Sequence, residues 1–215
     1  MTGYEVKRNL CERIGLKGSL VTIHLKHSKI VCTVDASNAG ENGMNGDGLV
    51  TDDPETVLGV TVADCMPIYI SDLRGRIFGV LHSGWKGTGI LETALNIFTN
   101  KLGVPVSEIS VLLGPSIRSC CYKVDRERAE FFQDQWGINA AQERNGQFFL
   151  DLLAANKNIL RTAGVTKVKD ADYCTSCNTI FGSYRREGPE GFTKMLAFIG
   201  TDSGVGRNAT VPTKL

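Results

Sequence analysis

Apolar and polar positions follow two periods along this chain, and the switches between them mark the elements. Val6, Leu10, Cys11 and Ile14 recur at helical spacing with Lys, Arg and Glu between them, which predicts a helix over 4–14 that Gly15 and Gly18 stop. Residues 19–25 and 29–35 alternate towards strands, with the tight connection Lys26-His27-Ser28 between them. Short, nearly continuous apolar runs at 57–62, 67–71 and 76–82 predict paired, buried strands. The clearest amphipathic helix follows over 87–102, carrying Ile90, Leu91, Ala94, Leu95, Ile97, Phe98 and Leu102, and Gly103-Val-Pro105 ends it.

Further along, 109–113 reads as a strand and 125–136 as a helix with Asp125 as its cap. Residues 148–150 are extended, 151–163 form a helix stopped at Gly164, and 165–168 and 192–199 are strands. Residues 36–48, rich in Gly, Asn, Asp and Ser, form a loop long enough to have a function. Cys174–Gly188 mixes turn residues with Phe181, Tyr184 and two arginines, and the polar tail over 201–215 is expected to fray. Strands and helices intermix without strict alternation, no glycine fingerprint follows the first strand, and no repeat is visible. The class this predicts is α+β: one domain over 1–215, a mixed sheet flanked by helices.

Composition narrows the function classes. With 42% hydrophobic and 22% charged residues, 215 residues can bury a core without disulfide or metal staples. A formal net charge of +1 gives no bulk attraction to nucleic acid or to an anionic membrane. No apolar run reaches membrane-spanning length and the N-terminus carries no apolar signal core, so a cytoplasmic protein is expected. Seven cysteines is an odd number, and Cys11 and Cys32 read as packing residues within apolar runs.

Candidate chemistry gathers around the paired strands. Cys65 stands between two apolar runs, and His82 closes a third. Gly84 and Gly87 then flank Trp85 and Lys86, where they are expected to let the backbone turn before a helix starts. The chain has only three histidines. His24 and His27 are three apart, which on a strand points them to opposite faces, so only one can readily join Cys65 and His82. His27, at the turn, is the better placed, with His24 a core or edge residue. Two imidazoles and a thiolate suit zinc, and three protein ligands leave a fourth position open, the pattern of a catalytic site. The same Cys65 and His82 fit a metal-free cysteine nucleophile with a histidine base, and spacing does not separate the two readings.

Cys174-Thr-Ser-Cys177 needs a second cysteine pair to hold a metal, and Cys120-Cys121 is the candidate; adjacent residues of a regular strand point apart, so no four-thiolate site is expected. Lys86, Arg185 and Arg186 are candidate anion binders, Lys86 just ahead of a helix start. Asp64 could orient a ligand or cap a turn, and Trp85 and Tyr122 could stack on a base or fill core.

A family resemblance draws these together. Gly48-Leu-Val-Thr51, Thr61-Val-Ala-Asp-Cys-Met-Pro67, His82-Ser-Gly-Trp-Lys-Gly87, Gly114-Pro-Ser-Ile117 with Cys120-Cys-Tyr122, Asp151-Leu-Leu-Ala-Ala-Asn156, Cys174-Thr175 and Ser183-Tyr-Arg-Arg186 occur in one order. Over roughly 5–200 this resembles the YfiH-like, laccase-domain family, also described as multicopper polyphenol oxidoreductases and as purine nucleoside phosphorylases. The resemblance implies one zinc per chain, held by Cys65, His82 and His27. Here His27 stands in Leu25-Lys-His-Ser28 in place of the family's Gln-Val-His-Gly. It also implies phosphorolysis of purine nucleosides, with adenosine deaminase and methylthioadenosine phosphorylase side activities. Cys65, His82 and Lys86 would be catalytic, and Lys86, Arg185 and Arg186 would hold phosphate. The family's usual Thr-Arg…Gly-Gly-x-Ser segment has no counterpart ahead of the first helix, and Gly191-Phe192 replaces a Gly-Arg, so an altered substrate scope is expected.

Copper oxidation fails on arithmetic. A multicopper oxidase needs about ten histidines, against three in this chain. The leading expectation is a zinc enzyme acting on a purine nucleoside and phosphate. The alternatives are a metal-free amidase using Cys65 and His82, and a nucleoside-binding protein without turnover.

Overall fold

In the computed structural model, Asn9, Arg13 and residues 18–35 and 43–201 are described. Asn9 and Arg13 are helical. The readings for the rest of 4–14, Cys11 included, for 36–42 and for the tail after Thr201 lie outside the described residues.

A six-stranded mixed sheet forms the centre. Its strands are β3 (Val31–Val34), β5 (Gly48–Thr51), β7 (Met66–Asp72), β8 (Phe78–Ser83), β9 (Ile109–Leu113) and β13 (Lys167–Asp170), in the order β13-β9-β7-β8-β5-β3. The two outer pairs are parallel and the inner ones antiparallel. A second sheet has β1 (Ser19–Thr22), β6 (Thr56–Val62) and β14 (Met195–Ile199), with β6 in the middle. Two shorter pairings complete the sheets: β2 (His24–Leu25) beside β4 (Asn45–Gly46), and β10 (Lys123–Val124), β11 (Ala141–Arg144) and β12 (Gln147–Leu150).

Both faces of the large sheet are covered, which is why its strands read as apolar runs rather than alternating ones. Met66, Ile68, Ile70 and Leu81 face helices α1 (Ile90–Asn96), α2 (Arg126–Trp136) and α3 (Leu152–Thr162), in a core with Phe98, Phe132 and Leu152. Leu49, Phe78 and Val80 face the other way, onto Val21, Leu58, Val60 and Ala197 of the three-stranded sheet. Truncating a fully buried Phe98 or Phe132 in such a core costs about 3–5 kcal/mol.

Local signals act where expected. Asp125 caps α2 by accepting from the Arg128 amide, Asp151 caps α3 by accepting from the Ala154 amide, and Gly164 ends the latter at φ 76°. Helix α1 starts at Ile90 behind Gly89 and runs into a π-helical turn, Ile97–Lys101. Strand β11 was not anticipated. Its hairpin with β12 turns on Asn145-Gly146, both at positive φ (51° and 72°), a pair that favours a type I′ turn.

One pairing differs from the sequence reading in a way that builds the site. The run 57–62 does not pair with 67–71. Strand β6 pairs with β1 and β14, whereas β7 lies between β8 and β9. Ala63-Asp64-Cys65 carries the chain from one sheet to the other, with Asp64 at φ 77°. Apolar runs report burial and not which neighbour does the burying, so this crossing is invisible to periodicity.

Candidate metal centre and its cavity

Cys65 sits at that crossing, one residue before β7. In the register of β7 with β8, Pro67 lies opposite His82 and Met66 opposite Ser83, which brings the imidazole to the same end of the sheet as the thiol. His27 comes from the turn between β2 and β3 and has φ 55°. One potential ligand atom from each of His27, Cys65 and His82 lies within 4.8 Å of the others. The two imidazole rings are nearly perpendicular, with centroids 5.1 Å apart. Cys65 is half-buried, His82 buried and His27 exposed, so the cluster faces outward through His27.

Asp47 holds this geometry, and its part was not foreseen. Its carboxylate is fully buried. It accepts from the amides of Lys26 (3.3 Å), His27 (2.9 Å) and Ser28 (2.7 Å), and from the Ser28 hydroxyl (2.7 Å). Successive amides turned onto one anion form a nest, and this nest fixes His27 in its left-handed conformation. The same carboxylate lies 3.0 Å from Nδ1 of His82. An Nδ1–H donated there leaves Nε2 as the free ring nitrogen, the usual outer-shell support for a histidine ligand. The only sequence signal for Asp47 was an acidic residue in a polar loop directly before a buried strand.

The charges follow from these contacts. Burial opposes ionisation of Asp47, yet its hydrogen bonds to His82 and Ser28 prevail and hold the carboxyl far below the usual range. Burial also disfavours the His82 cation, but the hydrogen bonds to Asp47 and Cys65 outweigh it and raise its pKa to about 9. His27 is shifted down, by burial first and then by the His82 charge, with Lys86 adding to the effect and Asp47 opposing it.

Glycines Gly84 and Gly87 allow close approach rather than a reversal of the chain. A Cβ at Gly84 would stand 2.7 Å from the Cys65 sulfur, and one at Gly87 would stand 3.0 Å from the Ser28 carbonyl oxygen. Neither has positive φ; the left-handed residue here is Gly89, at φ 100°. Asp64 lines the cavity and braces its frame. It accepts from the Thr175 hydroxyl (2.7 Å) and the Arg185 amide (2.6 Å), tying two later segments to the crossing.

The three candidate ligands line a cavity of about 710 Å³. Trp85, Tyr122, Tyr184 and Phe192 supply aromatic wall, and Arg128, Arg185 and Lys194 supply positive charge. Trp85 and Tyr122 line the cavity and also pack on the main core. Burial pushes the Tyr122 phenol up, so it stays a neutral hydroxyl. His24 is an exposed residue of the wall rather than a core one. Arg185 is exposed and braced by bonds to the Cys121 and Lys123 carbonyls, 3.0 Å each. Lys86 is exposed beside the wall, its Nζ 5.5 Å from the Trp85 ring centroid. Arg186 is not on the wall: its guanidinium donates to the carbonyls of Thr175, Ser176, Asn178 and Phe181 and pairs with Glu187.

The cysteine reading needs correction. Cys120 and Cys121 lie in a turn, not a strand, and their sulfurs come within 4.8 Å of those of Cys174 and Cys177. Adjacent side chains point apart only on a regular strand. Among the described residues, no helix is long and apolar enough to cross a membrane.

A family model described as multi-copper polyphenol oxidoreductase laccase matches residues 4–202. The purine nucleoside phosphorylase YlmD of Geobacillus stearothermophilus is 35% identical over 72% of this chain and 59% of its own. An adenosine deaminase from an unknown prokaryotic organism is 36% identical over 72% of this chain and 62% of its own. The chain thus spans about three fifths of the length of these two relatives. The crystal structure of the Geobacillus protein superposes with a TM-score of 0.83 at 31% identity, covering 91% of this chain and 78% of that one. The hypothetical protein YfiH of Bacillus licheniformis gives 0.83 at 27% identity, over 92% and 80%.

Proposed function

The chain belongs to the YfiH-like family, whose model is described as multi-copper polyphenol oxidoreductase laccase, and on that premise we propose that it is a zinc-dependent purine nucleoside phosphorylase. The observation that carries the reading is the convergence of His27, Cys65 and His82 on the wall of a cavity with aromatic and cationic sides. Relatives named purine nucleoside phosphorylase and adenosine deaminase support the substrate class and an accompanying deamination of adenosine.

The donor set fits zinc in kind: two imidazoles and one thiolate, with Asp47 behind one imidazole. Zinc bound there would supply a Lewis acid with an open position. About 710 Å³ is ample for a nucleoside together with phosphate. The aromatic residues offer faces on which a purine stacks. Arg185, Arg128 and Lys86 are the cations proposed to receive phosphate, Arg185 as a braced fork and Lys86 as a point charge. Arg186 is left out, because it does not line the cavity and its guanidinium is taken up by four carbonyls and Glu187. Phosphate held by these groups attacks C1′ of the ribose. The bond from C1′ to the purine nitrogen breaks, and its electron pair leaves with the base. The chain contributes by fixing the two reactants in one orientation and by excluding water behind the aromatic wall.

The test is turnover of inosine and adenosine by the purified protein with and without phosphate. Hypoxanthine or adenine should form only with phosphate, together with ribose 1-phosphate, and inosine should form from adenosine without it. If no base and no inosine form above a Cys65→Ala control, the reading is wrong.

A further inference from the structure

Four of the cysteines that do not line the cavity lie together. The Cys177 sulfur stands 3.5 Å from that of Cys120 and 3.3 Å from that of Cys121, and all four sulfurs, Cys174 included, fall within 4.8 Å of one another. Four thiolates at a zinc–sulfur distance of about 2.3 Å form a tetrahedron with edges of about 3.8 Å. The observed spread brackets that edge. A disulfide is a poorer description. Its sulfurs are about 2.05 Å apart, it would use only two of the four, and Cys177 has two near-equal neighbours.

The surroundings are those of a metal knuckle. The Arg118 amide donates to the Cys174 sulfur at 3.5 Å, and the Cys177 amide is bonded to the same sulfur. The turn is closed by the Asn178 amide on the Cys174 carbonyl, 3.0 Å. A four-thiolate divalent centre is a net dianion, which calls for positive charge nearby. Arg118, at 8% exposed, is buried just ahead of the first turn; its Nη2 donates to the Ala171 carbonyl at 2.7 Å, its Nε lies 3.8 Å from the Asp172 carboxylate, and its Nη1 has no hydrogen-bond partner.

We infer that Cys120, Cys121, Cys174 and Cys177 form a second, structural site for a soft divalent cation, zinc by its preference for four thiolates. Binding exchanges the thiol protons for the metal and releases them to the buffer. Its role is to pin two segments that are more than fifty residues apart in sequence. The second segment holds Thr175 on Asp64, and the first holds Arg185 through the Cys121 and Lys123 carbonyls. The structural site thereby fixes one wall of the cavity.

The experiment is cobalt(II) reconstitution of the full, reduced chain, read by metal stoichiometry and by the thiolate-to-cobalt charge-transfer band, which grows with the number of sulfurs. Cys177→Ser should hold one equivalent fewer than wild type and lose most of the band. Cys65→Ser should keep the band. Cys120→Ser serves as a second variant should Cys177→Ser fail to fold. The inference is overturned if Cys177→Ser and Cys120→Ser bind as much cobalt as wild type. It is overturned equally if thiol titration of the purified protein finds a disulfide among these four cysteines and the reduced chain, given cobalt, shows no more of the band than Cys177→Ser. Neither outcome depends on nucleoside turnover or on whether the first centre is loaded.

Discussion

Cys65→Ala is expected to lower zinc affinity of the His27, Cys65 and His82 centre by two to three powers of ten, and nucleoside turnover with it. The magnitude follows from zinc sites worth roughly 10–16 kcal/mol over four ligands, or about 2.5–4 kcal/mol for each ligand lost. Cys65 is half-buried at the crossing between two sheets and is not part of either core, so the fold should survive. Loss of activity, with the melting curve of the metal-free protein unchanged, is therefore the predicted pattern. Alkylation separates this from a metal-free cysteine nucleophile. Zinc should protect Cys65 from iodoacetamide, and a chelator should remove both the protection and the activity. A cysteine nucleophile without metal would be alkylated readily and would ignore the chelator.

Asp47→Asn should weaken zinc binding by about 10–100-fold, the usual loss when the outer partner of a histidine ligand is removed. It should also destabilise the turn, because three amides and a hydroxyl now meet a single carbonyl oxygen. A pH readout isolates the effect on His82. In the metal-free protein its pKa is raised to about 9, chiefly by Asp47, so at pH 8 the ring is still protonated and zinc must displace that proton. Wild-type affinity should then rise about tenfold per pH unit from this group as pH climbs towards 9, and level off above it. In Asp47→Asn burial still disfavours the cation and only Cys65 still favours it, so the His82 pKa falls and less of the ring is protonated at pH 8. Calorimetry in buffers of different ionisation enthalpy should find fewer protons released by the variant. A purely structural role for Asp47 would change stability and leave that proton count alone.

What could be read from the chain follows the range of each interaction. Asp125 and Asp151 act on amides three residues ahead, so their caps were legible. The strands around Cys65 and His82 were legible too, because burial on both faces writes itself as a continuous apolar run. The three candidate ligands could be named because histidine is scarce and each sits at an element end. Asp47 could not, because its work is done on residues 19–21 and 35 positions away. The four-thiol cluster was missed for a related reason. Whether Cys120 and Cys121 can face one point depends on the turn they occupy, and their partners in the cluster lie more than fifty positions later. The motif glycines were legible as a constraint but not as to kind: Gly84 makes room for the Cys65 sulfur from the crossing ahead of β7, which no local pattern encodes.

The most direct measurement is an anomalous difference map collected at the zinc absorption edge from crystals grown with zinc. A peak is predicted within bonding distance, about 2.0–2.3 Å, of the Cys65 sulfur, Nε2 of His82 and one ring nitrogen of His27. An empty map between those three side chains at saturating zinc would contradict the metal centre and, with it, the zinc-dependent chemistry proposed for the cavity.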